Sequence, residues 1–226
     1  MPKLKLVIAN KNYSSWSMRP WVLLRQAQIA FQEVQLKFDE NTRVIGIEKY
    51  SAAGKVPVLL IDGEPVWDTL AICETAAELF PKKQLWPEDV KARRVARSIC
   101  AEMHSGFQAL RGRMPMNIRS SHPGKGMTPE SRRDIERVVA LWTECREKYG
   151  ETSGGGGDFL FGRFSIPDAF YAPVVMRFQT YDVKLPPVAQ AYCEAVRSLA
   201  AVKQWVEAAL RETEFVAEDE PYAERK

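Results

Sequence analysis

The positions of the strand-like segments along the chain constrain its fold more than any other feature. Segments with the alternating or continuously apolar pattern of β-strands all lie before residue 68. Residues 81–88 contain two prolines and two lysines, a composition typical of a linker. Beyond this segment the apolar residues recur only at helical spacing. We therefore predict an α/β domain at residues 1–80, a linker at 81–88 and an all-helical domain at 89–226.

The first domain is predicted to contain a strand–helix–strand unit followed by a hairpin and a second helix. Asp62-Gly63-Glu64 is a hairpin signal, and Pro65 can begin an edge strand but cannot lie within a central one. Such a layer needs about 80 residues, which agrees with the space available. The predicted elements are a strand at 4–9, a helix at 21–27, a strand at 31–38, a turn and strand at 54–61, a strand at 65–67 and a helix at 68–80.

The second domain is predicted to be helical throughout. Ser165 and Asp168 form a capping-box arrangement, for which we expect a structural role at a helix start. The helix that follows is apolar on most faces, so we expect it to be buried at the centre of the domain. Helices are predicted at 89–112, 129–149, 169–181 and 187–211, an irregular segment at 113–128, a flexible loop at 154–157 and a loosely packed tail at 212–226.

The composition excludes several classes of function. The 226 residues carry a net charge of +3 from 32 basic and 29 acidic side chains, too balanced for binding to nucleic acid or to an anionic membrane surface. No run of about 18 apolar residues indicates a membrane span, and the first strand starts too early for a signal peptide, so we expect a cytoplasmic protein. The four cysteines lack C-x-x-C spacing, and neither they nor the two histidines suggest a metal site.

The turn between the first strand and the first helix, residues 12–20, is rich in hydroxyl groups. We expect Pro20 in the first helical turn, where its missing N–H costs nothing. Ser14, Ser15 and Ser17 allow two interpretations. They can cap the helix, or they can donate hydrogen bonds to an anion that the helix N-terminus already attracts.

Three motifs taken together resemble those of the cytosolic glutathione S-transferases, and the resemblance covers nearly the whole chain. The segment 14–19, Ser-Ser-Trp-Ser-Met-Arg, resembles the serine-type active-site turn S-S-C-x-x-R of zeta-like members, with Trp16 in place of cysteine. Val56-Pro57 resembles the cis-proline of the family. Asp68-Thr69 stands where the family usually has Glu/Gln-Ser before a helix. The segment 165–168 resembles the motif at the start of the family's sixth helix.

This resemblance implies a thioredoxin-like N-terminal domain that binds glutathione as a co-substrate, an all-helical C-terminal domain, and a homodimer. It implies that Ser14, or its neighbour Ser15, donates to the glutathione sulfur and thereby favours the thiolate. It implies further that a cis bond at Val56-Pro57 exposes the Val56 N–H and carbonyl to the cysteinyl backbone. The small electrophile is expected between the domains, beside the helix at 89–112, and no metal is expected.

The remaining contacts are also implied by the resemblance, and each has an alternative. Thr69 is expected to bind the γ-glutamyl carboxylate through its N–H and hydroxyl, and Asp68 the ammonium, although Asp68 can equally be an N-cap. Arg19 is expected to orient the turn or an anionic substrate, and Lys55 to meet the glycyl carboxylate or solvent. His104 is a substrate-binding candidate that can instead serve in packing. Arg111 and Arg113 can meet an acidic electrophile from the helical domain, but a solvated helix end is the expected position.

The function implied by these motifs is that of a glutathione transferase. A glutathione-dependent isomerase resembling maleylacetoacetate isomerase is an alternative, and so is a glutathione-binding protein without turnover. Trp16 replaces the cysteine that some relatives use, which weakens the isomerase assignment and argues against a cysteine-based oxidoreductase.

Overall fold

A computed structural model describes residues 2–39, 41–151 and 156–223. The N-terminal domain contains β1 (Leu4–Ile8), α1 (Ser15–Gln26), β2 (Gln32–Gln35), β3 (Val58–Ile61), β4 (Glu64–Val66) and α2 (Thr69–Leu79). The C-terminal domain contains α3 (Val90–Ser105), α4 (Gln108–Arg113), α5 (Pro129–Tyr149), α6 (Ile166–Thr180), α7 (Pro187–Ser198) and α8 (Ala200–Leu210). The predicted fold class, a thioredoxin-like domain followed by a helical domain, is confirmed.

The four strands form one sheet in the order β2-β1-β3-β4. β1 pairs parallel with β2 across the α1 crossover, and antiparallel with β3, with Leu6 opposite Leu59. The predicted hairpin between β3 and β4 is present, with φ of 50° at Asp62 and 99° at Gly63, as a two-residue turn requires. Pro65 lies within β4, which is an edge strand, so its missing N–H interrupts no second ladder.

The second strand is shorter than the predicted 31–38. After Gln35 the chain leaves the sheet, and the Phe38 N–H donates to the Asn10 side-chain oxygen at 2.8 Å. Phe38 then forms an isolated antiparallel bridge with Val44. The alternating pattern continues beyond the strand because the side chains still pack beside the sheet.

The first helix begins at Ser15, so Pro20 lies inside it and not in its first turn, contrary to the prediction. Inside a helix proline removes one hydrogen bond, here the one from residue 20 to the Trp16 carbonyl. The hydroxyl of Thr69 donates to that carbonyl at 3.1 Å instead. Because Thr69 of α2 satisfies the Trp16 carbonyl, α1 can begin at Ser15, earlier than the position of Pro20 alone would suggest.

Two long helices predicted from periodicity are each divided in the structure. The segment 89–112 is broken at Gly106 and Phe107, where Phe107 has a φ of 56° and is buried. The segment 187–211 is broken at Leu199, which has a ψ of 132° and also packs in the core. In both places a buried apolar side chain keeps the helical spacing while the backbone changes direction, so periodicity alone does not reveal the break.

The core of the helical domain is built around α6, which is buried on nearly all of its faces as predicted. It packs against α1 and α3, and so connects the two domains. The predicted capping box is present: the Ser165 N–H donates to Asp168 Oδ2 at 2.8 Å, and both side chains are buried.

The linker and the tail are both packed against the rest of the chain. Leu85 in the linker is buried, and its carbonyl accepts from the Ile166 N–H at 2.9 Å. The tail was predicted to be loose, which is wrong for residues 212–223: Val216 is 1% exposed, and Glu212 accepts from the Lys11 N–H at 2.6 Å. Of the predicted loop at 154–157, residues 154 and 155 lie outside the described residues.

Candidate functional site

Two adjoining cavities lie between the domains, where the N-termini of α1 and α2 and the loop before β3 face α3 and α4. The first cavity, of about 700 Å³, is lined by Trp16, Ala53, Lys55, Val56, Pro57, Trp67, Asp68, Thr69, His104, Ser105, Gln108 and Arg111. The second cavity, of about 430 Å³, shares Trp16, Lys55, Val56, Gln108 and Arg111 and is otherwise lined by Tyr13, Ser14, Ser15, Phe38, Thr42, Val44, Gly54, Gly112, Arg177, Glu218 and Asp219. The structure thus brings together all the predicted site residues except Arg19 and Ser17, which line neither cavity.

The Val56–Pro57 peptide bond is cis, as predicted. Val56 lies two residues before the start of β3 at Val58, and it lines both cavities. Within the described chain its N–H and carbonyl make no hydrogen bond. The loop therefore offers one free backbone donor and one free backbone acceptor at the junction of the two cavities, which is the arrangement an extended peptide needs for pairing.

Asp68 caps the N-terminus of α2, so the capping interpretation is confirmed. One carboxylate oxygen accepts from the Leu70 N–H at 3.0 Å, and the other lies 3.1 Å from His104 Nε2. The peptide bond between Trp67 and Asp68 is also cis. Since about half of the Asp68 side chain remains exposed, it can still meet a ligand in the first cavity.

Thr69 is fully buried, and its hydroxyl already donates to the Trp16 carbonyl. In this structure the proton of the hydroxyl is therefore already in use, and the predicted contact of the hydroxyl with a carboxylate stays a prediction. Its backbone N–H, by contrast, has no acceptor among the described residues and lies at the positive end of α2. That N–H is the part of Thr69 that can bind an anion.

The serines of the turn make hydrogen bonds that separate their roles. Ser14 is the N-cap residue of α1, but its side chain makes no capping hydrogen bond. Its hydroxyl donates to the Ser17 hydroxyl at 2.7 Å, and Ser17, fully buried, also accepts from the Ala9 N–H at 3.3 Å. Ser15 instead accepts from Arg177 Nη2 at 3.3 Å, which leaves its own proton free to donate to another group.

Trp16, at the position where the zeta-like motif has cysteine, lies close to two guanidinium groups. Arg19 lies 4.2 Å and Arg111 4.6 Å from the centre of its ring, and the His104 ring meets it edge-on at 5.1 Å. These distances are typical of cation–π contacts. Trp16 therefore forms a fixed wall shared by both cavities.

Arg19 lines neither cavity. Its side chain is 2% exposed, and its Nε donates to the Phe170 carbonyl at 3.2 Å. Burial lowers the pKa of Arg19 to about 9, and the nearby charges of Arg111 and Arg177 act in the same direction. Of the two predicted roles, contact with an anionic substrate is not compatible with this position, whereas orientation of the turn is.

Several residues of the second cavity were not predicted from the sequence. Arg177, in the last turn of α6, is buried, and it donates to the carbonyls of Arg111, at 3.2 Å, and Met114 as well as to Ser15. Burial lowers the pKa of Arg177 to about 10. A single arginine within an apolar helix was a usable signal. Asp219 and Glu218, which the tail brings to the same cavity, had no such signal.

Lys55 is exposed at the edge of both cavities, where an anionic ligand group can reach it.

Among residues 2–39, 41–151 and 156–223, no group of three or more His, Cys, Asp or Glu side chains is arranged to hold a metal ion. The four cysteines, Cys73, Cys100, Cys145 and Cys193, are buried free thiols. Over the same residues, no helix is long and apolar enough to cross a membrane.

Comparison with known proteins gives consistent similarities. The family model described as "Glutathione S-transferase, N-terminal domain" matches residues 13–79. A probable maleylacetoacetate isomerase from Caenorhabditis elegans is 26% identical over 159 residues, 70% of this chain and 73% of that protein.

Solved structures extend the similarity over the whole fold. A glutathione transferase homolog from Burkholderia, solved with bound glutathione, has a TM-score of 0.67 at 20% identity and covers 92% of this chain and 98% of its own. Glutathione transferase Omega 2S from Trametes versicolor has a TM-score of 0.68 at 17% identity, and the match covers 94% of this chain and 98% of that protein. At these identities the likeness concerns the fold.

Proposed function

We propose that this chain, whose residues 13–79 match the glutathione S-transferase N-terminal domain, is a glutathione-dependent enzyme of that family that binds glutathione across the two cavities. The γ-glutamyl group occupies the first cavity and the sulfur lies at the junction. The electrophile enters the second cavity, where the thiolate attacks it. The role is that of a transferase acting on small electrophiles, as in detoxification.

The observation that carries this proposal is the free backbone of Val56 between the two cavities. An extended peptide that pairs with the Val56 N–H and carbonyl has one end directed to Asp68 and the Thr69 N–H, and the other to Lys55. Those groups complement the ammonium and the two carboxylates of glutathione. The side chain of the central residue is then directed to the N-terminus of α1, where the Trp16 N–H has no acceptor among the described residues.

Thiol activation requires a donor that is not already in use. Ser14 donates to Ser17, whereas Ser15 accepts from Arg177 and retains its own proton for the sulfur. The positive charge of Arg177 beside Ser15 further favours a thiolate over a thiol. These bonds support Ser15 as the donor, with Ser14 as the second candidate, which reverses the order that the family motif implies.

A second candidate function is isomerisation with glutathione as a recycled cofactor. The probable maleylacetoacetate isomerase from Caenorhabditis elegans among the relatives favours it, and the guanidinium groups of Arg111 and Arg177 are compatible with an acidic substrate. Trp16, in place of the cysteine of the zeta-like motif, argues against it. A glutathione-binding protein without turnover is a further alternative.

Two further features belong to the same proposal. We infer a homodimer, as is usual in the family, which light scattering of the purified protein tests directly. We also infer a cytoplasmic location, since four buried free thiols are typical of a reducing compartment.

Isothermal titration with glutathione tests the binding mode. We expect wild type to bind glutathione, and Asp68→Asn to weaken this binding by about tenfold because a charge-assisted contact with the ammonium is lost. An analogue without the α-amino group should bind both proteins equally. The matched control is Asp182→Asn, an exposed aspartate paired with Lys184. Wild type without affinity for millimolar glutathione would refute the proposal.

A further inference from the structure

The C-terminal tail, residues 212–223, is fastened to the N-terminal domain beside the second cavity. The carboxylate of Glu212 accepts from the backbone N–H groups of Lys11, at 2.6 Å, and Asn12, at 3.0 Å. Arg119 Nη2 donates to the Glu214 carbonyl at 2.6 Å. The tail therefore follows a path set by charged hydrogen bonds, which are stronger than neutral ones.

The same contacts continue to the rim of the cavity. The Tyr13 hydroxyl donates to Glu220 at 2.6 Å and accepts from Arg119 at 2.7 Å, and the Thr42 hydroxyl donates to Glu218 at 3.0 Å. A short 3₁₀ turn between these anchors holds Asp219 at the cavity wall. The position of Asp219 is thus fixed from both sides.

The carboxylate of Asp219 has no hydrogen-bond or ion-pair partner among the described residues, unlike Glu218 and Glu220 on either side. Burial raises the pKa of Asp219 to about 6. The negative charges of Glu218 and Glu220 also raise this pKa, whereas the positive charge of Arg177 lowers it. The Asp219 carboxylate is partly buried at the cavity wall and accepts no hydrogen bond from the described residues. It can therefore accept one from a molecule that binds in this cavity.

The positively charged Arg177 in the same cavity also has no carboxylate close to it. Arg177 donates to two backbone carbonyls and to Ser15, and no carboxylate of the described residues lies within 4 Å of it. The guanidinium group of Arg111, which lines the same cavity, contacts backbone carbonyls and the Trp16 ring. An anionic group on a substrate would be attracted to these guanidinium groups, but would also enter the field of Asp219.

We propose that Asp219 is a specificity-determining residue of the second cavity. Its carboxylate disfavours electrophiles that place an anionic group beside Arg177, and it favours those that place a neutral hydrogen-bond donor there. This inference rests on the proposed glutathione site.

Two glutathione thioethers that differ by one carboxylate isolate this effect. Isothermal titration with S-benzylglutathione and S-(4-carboxybenzyl)glutathione gives the ratio of the two dissociation constants in each variant. We expect Asp219→Asn to shift this ratio by about fivefold or more in favour of the carboxylate ligand, since a charge has been removed from a partly desolvated cavity. Glu207→Gln, which removes an exposed carboxylate from α8, should leave the wild-type ratio unchanged.

The outcomes separate this inference from the proposed function. The same ratio in wild type and Asp219→Asn, with S-benzylglutathione bound by both, would overturn the role of Asp219 and leave the glutathione site intact. If Asp219→Asn bound both ligands more weakly by the same factor, Asp219 would serve to hold the tail in place. That result would also overturn its proposed role in specificity. Failure of wild type to bind S-benzylglutathione would overturn the glutathione site, and this inference with it.

Discussion

The hydroxyl of Thr69, at the first residue of α2, donates at 3.1 Å to the carbonyl of Trp16 in α1. Because Pro20 has no N–H, that carbonyl has no partner within its own helix. The bond therefore satisfies a backbone group next to the site and ties together the two helix N-termini that line it. It also explains why a fully buried hydroxyl at this position is not free to bind a ligand.

Replacement of Thr69 by valine should destabilise the protein by about 1–2 kcal/mol, since it leaves the Trp16 carbonyl buried without a donor. Thr69→Ser should cost less because the hydroxyl remains. In a Pro20→Ala background residue 20 regains an N–H, so the Thr69→Val penalty should shrink. Urea unfolding of the four proteins in this double-mutant cycle measures the coupling, and an identical penalty in both backgrounds would contradict the account.

Asp168 should make stability depend on pH. Burial raises its pKa to about 6, although it accepts hydrogen bonds from the backbone of Leu160 and Ser165 and from the hydroxyls of Ser165 and Tyr192. An unfolded chain has an aspartate pKa of about 3.9, so between about pH 4 and 6 the folded state binds more protons. The free energy of unfolding therefore loses a contribution of about 2–3 kcal/mol as the pH rises through this window.

The matched variant for that prediction is Asp168→Asn, which has no charge at any pH. Urea unfolding between pH 4 and 7 should show that the stability advantage of wild type over this variant decreases as the pH rises. If the two curves ran parallel across the range, Asp168 would not titrate as its burial predicts.

Local signals in the sequence predicted much of the fold and part of the site. The Asp62-Gly63 hairpin and the Ser165–Asp168 capping box each depend on a few neighbouring residues, and both are present. The cis bond before Pro57 is also present, but it was implied by the family resemblance and not by a local signal. The break at Phe107 was not predicted from periodicity, because a buried apolar side chain fits the helical period on either side of it. Gly106, the C-cap residue of α3, was the local signal for this break.

The rest of the site depends on contacts between distant parts of the chain. The Ser15–Arg177 bond joins residues 162 positions apart, and the tail reaches Tyr13 across 207 positions. A charged, mixed composition predicted a loose tail, but its packing rests on hydrogen bonds to distant residues, among them Arg119 at its position beside Tyr13. No periodicity or local motif encodes that position, which is why the second cavity was incompletely described by sequence alone.

Arg119 should control the order of the tail. It donates to the carbonyls of Glu212 and Glu214 and to the Tyr13 hydroxyl, so Arg119→Ala removes several anchors at once. Hydrogen exchange in residues 212–223 should become at least about tenfold faster, while the sheet keeps its protection. Arg133→Ala, at an exposed arginine paired with Glu130, serves as the control. Unchanged exchange in the tail of Arg119→Ala would show that other contacts hold it.

The thiol pKa of bound glutathione tests the central claim most directly. Thiolate absorbance near 240 nm, followed from pH 5 to 10 with saturating glutathione, reports that pKa in wild type, Ser15→Ala, Ser14→Ala and the exposed control Ser98→Ala. A free thiol titrates near a pKa of about 8.5. We predict a value at least about one unit lower in wild type and in Ser98→Ala, and a return towards the free value in Ser15→Ala. Bound glutathione that titrates like the free thiol in wild type would contradict thiol activation at this turn.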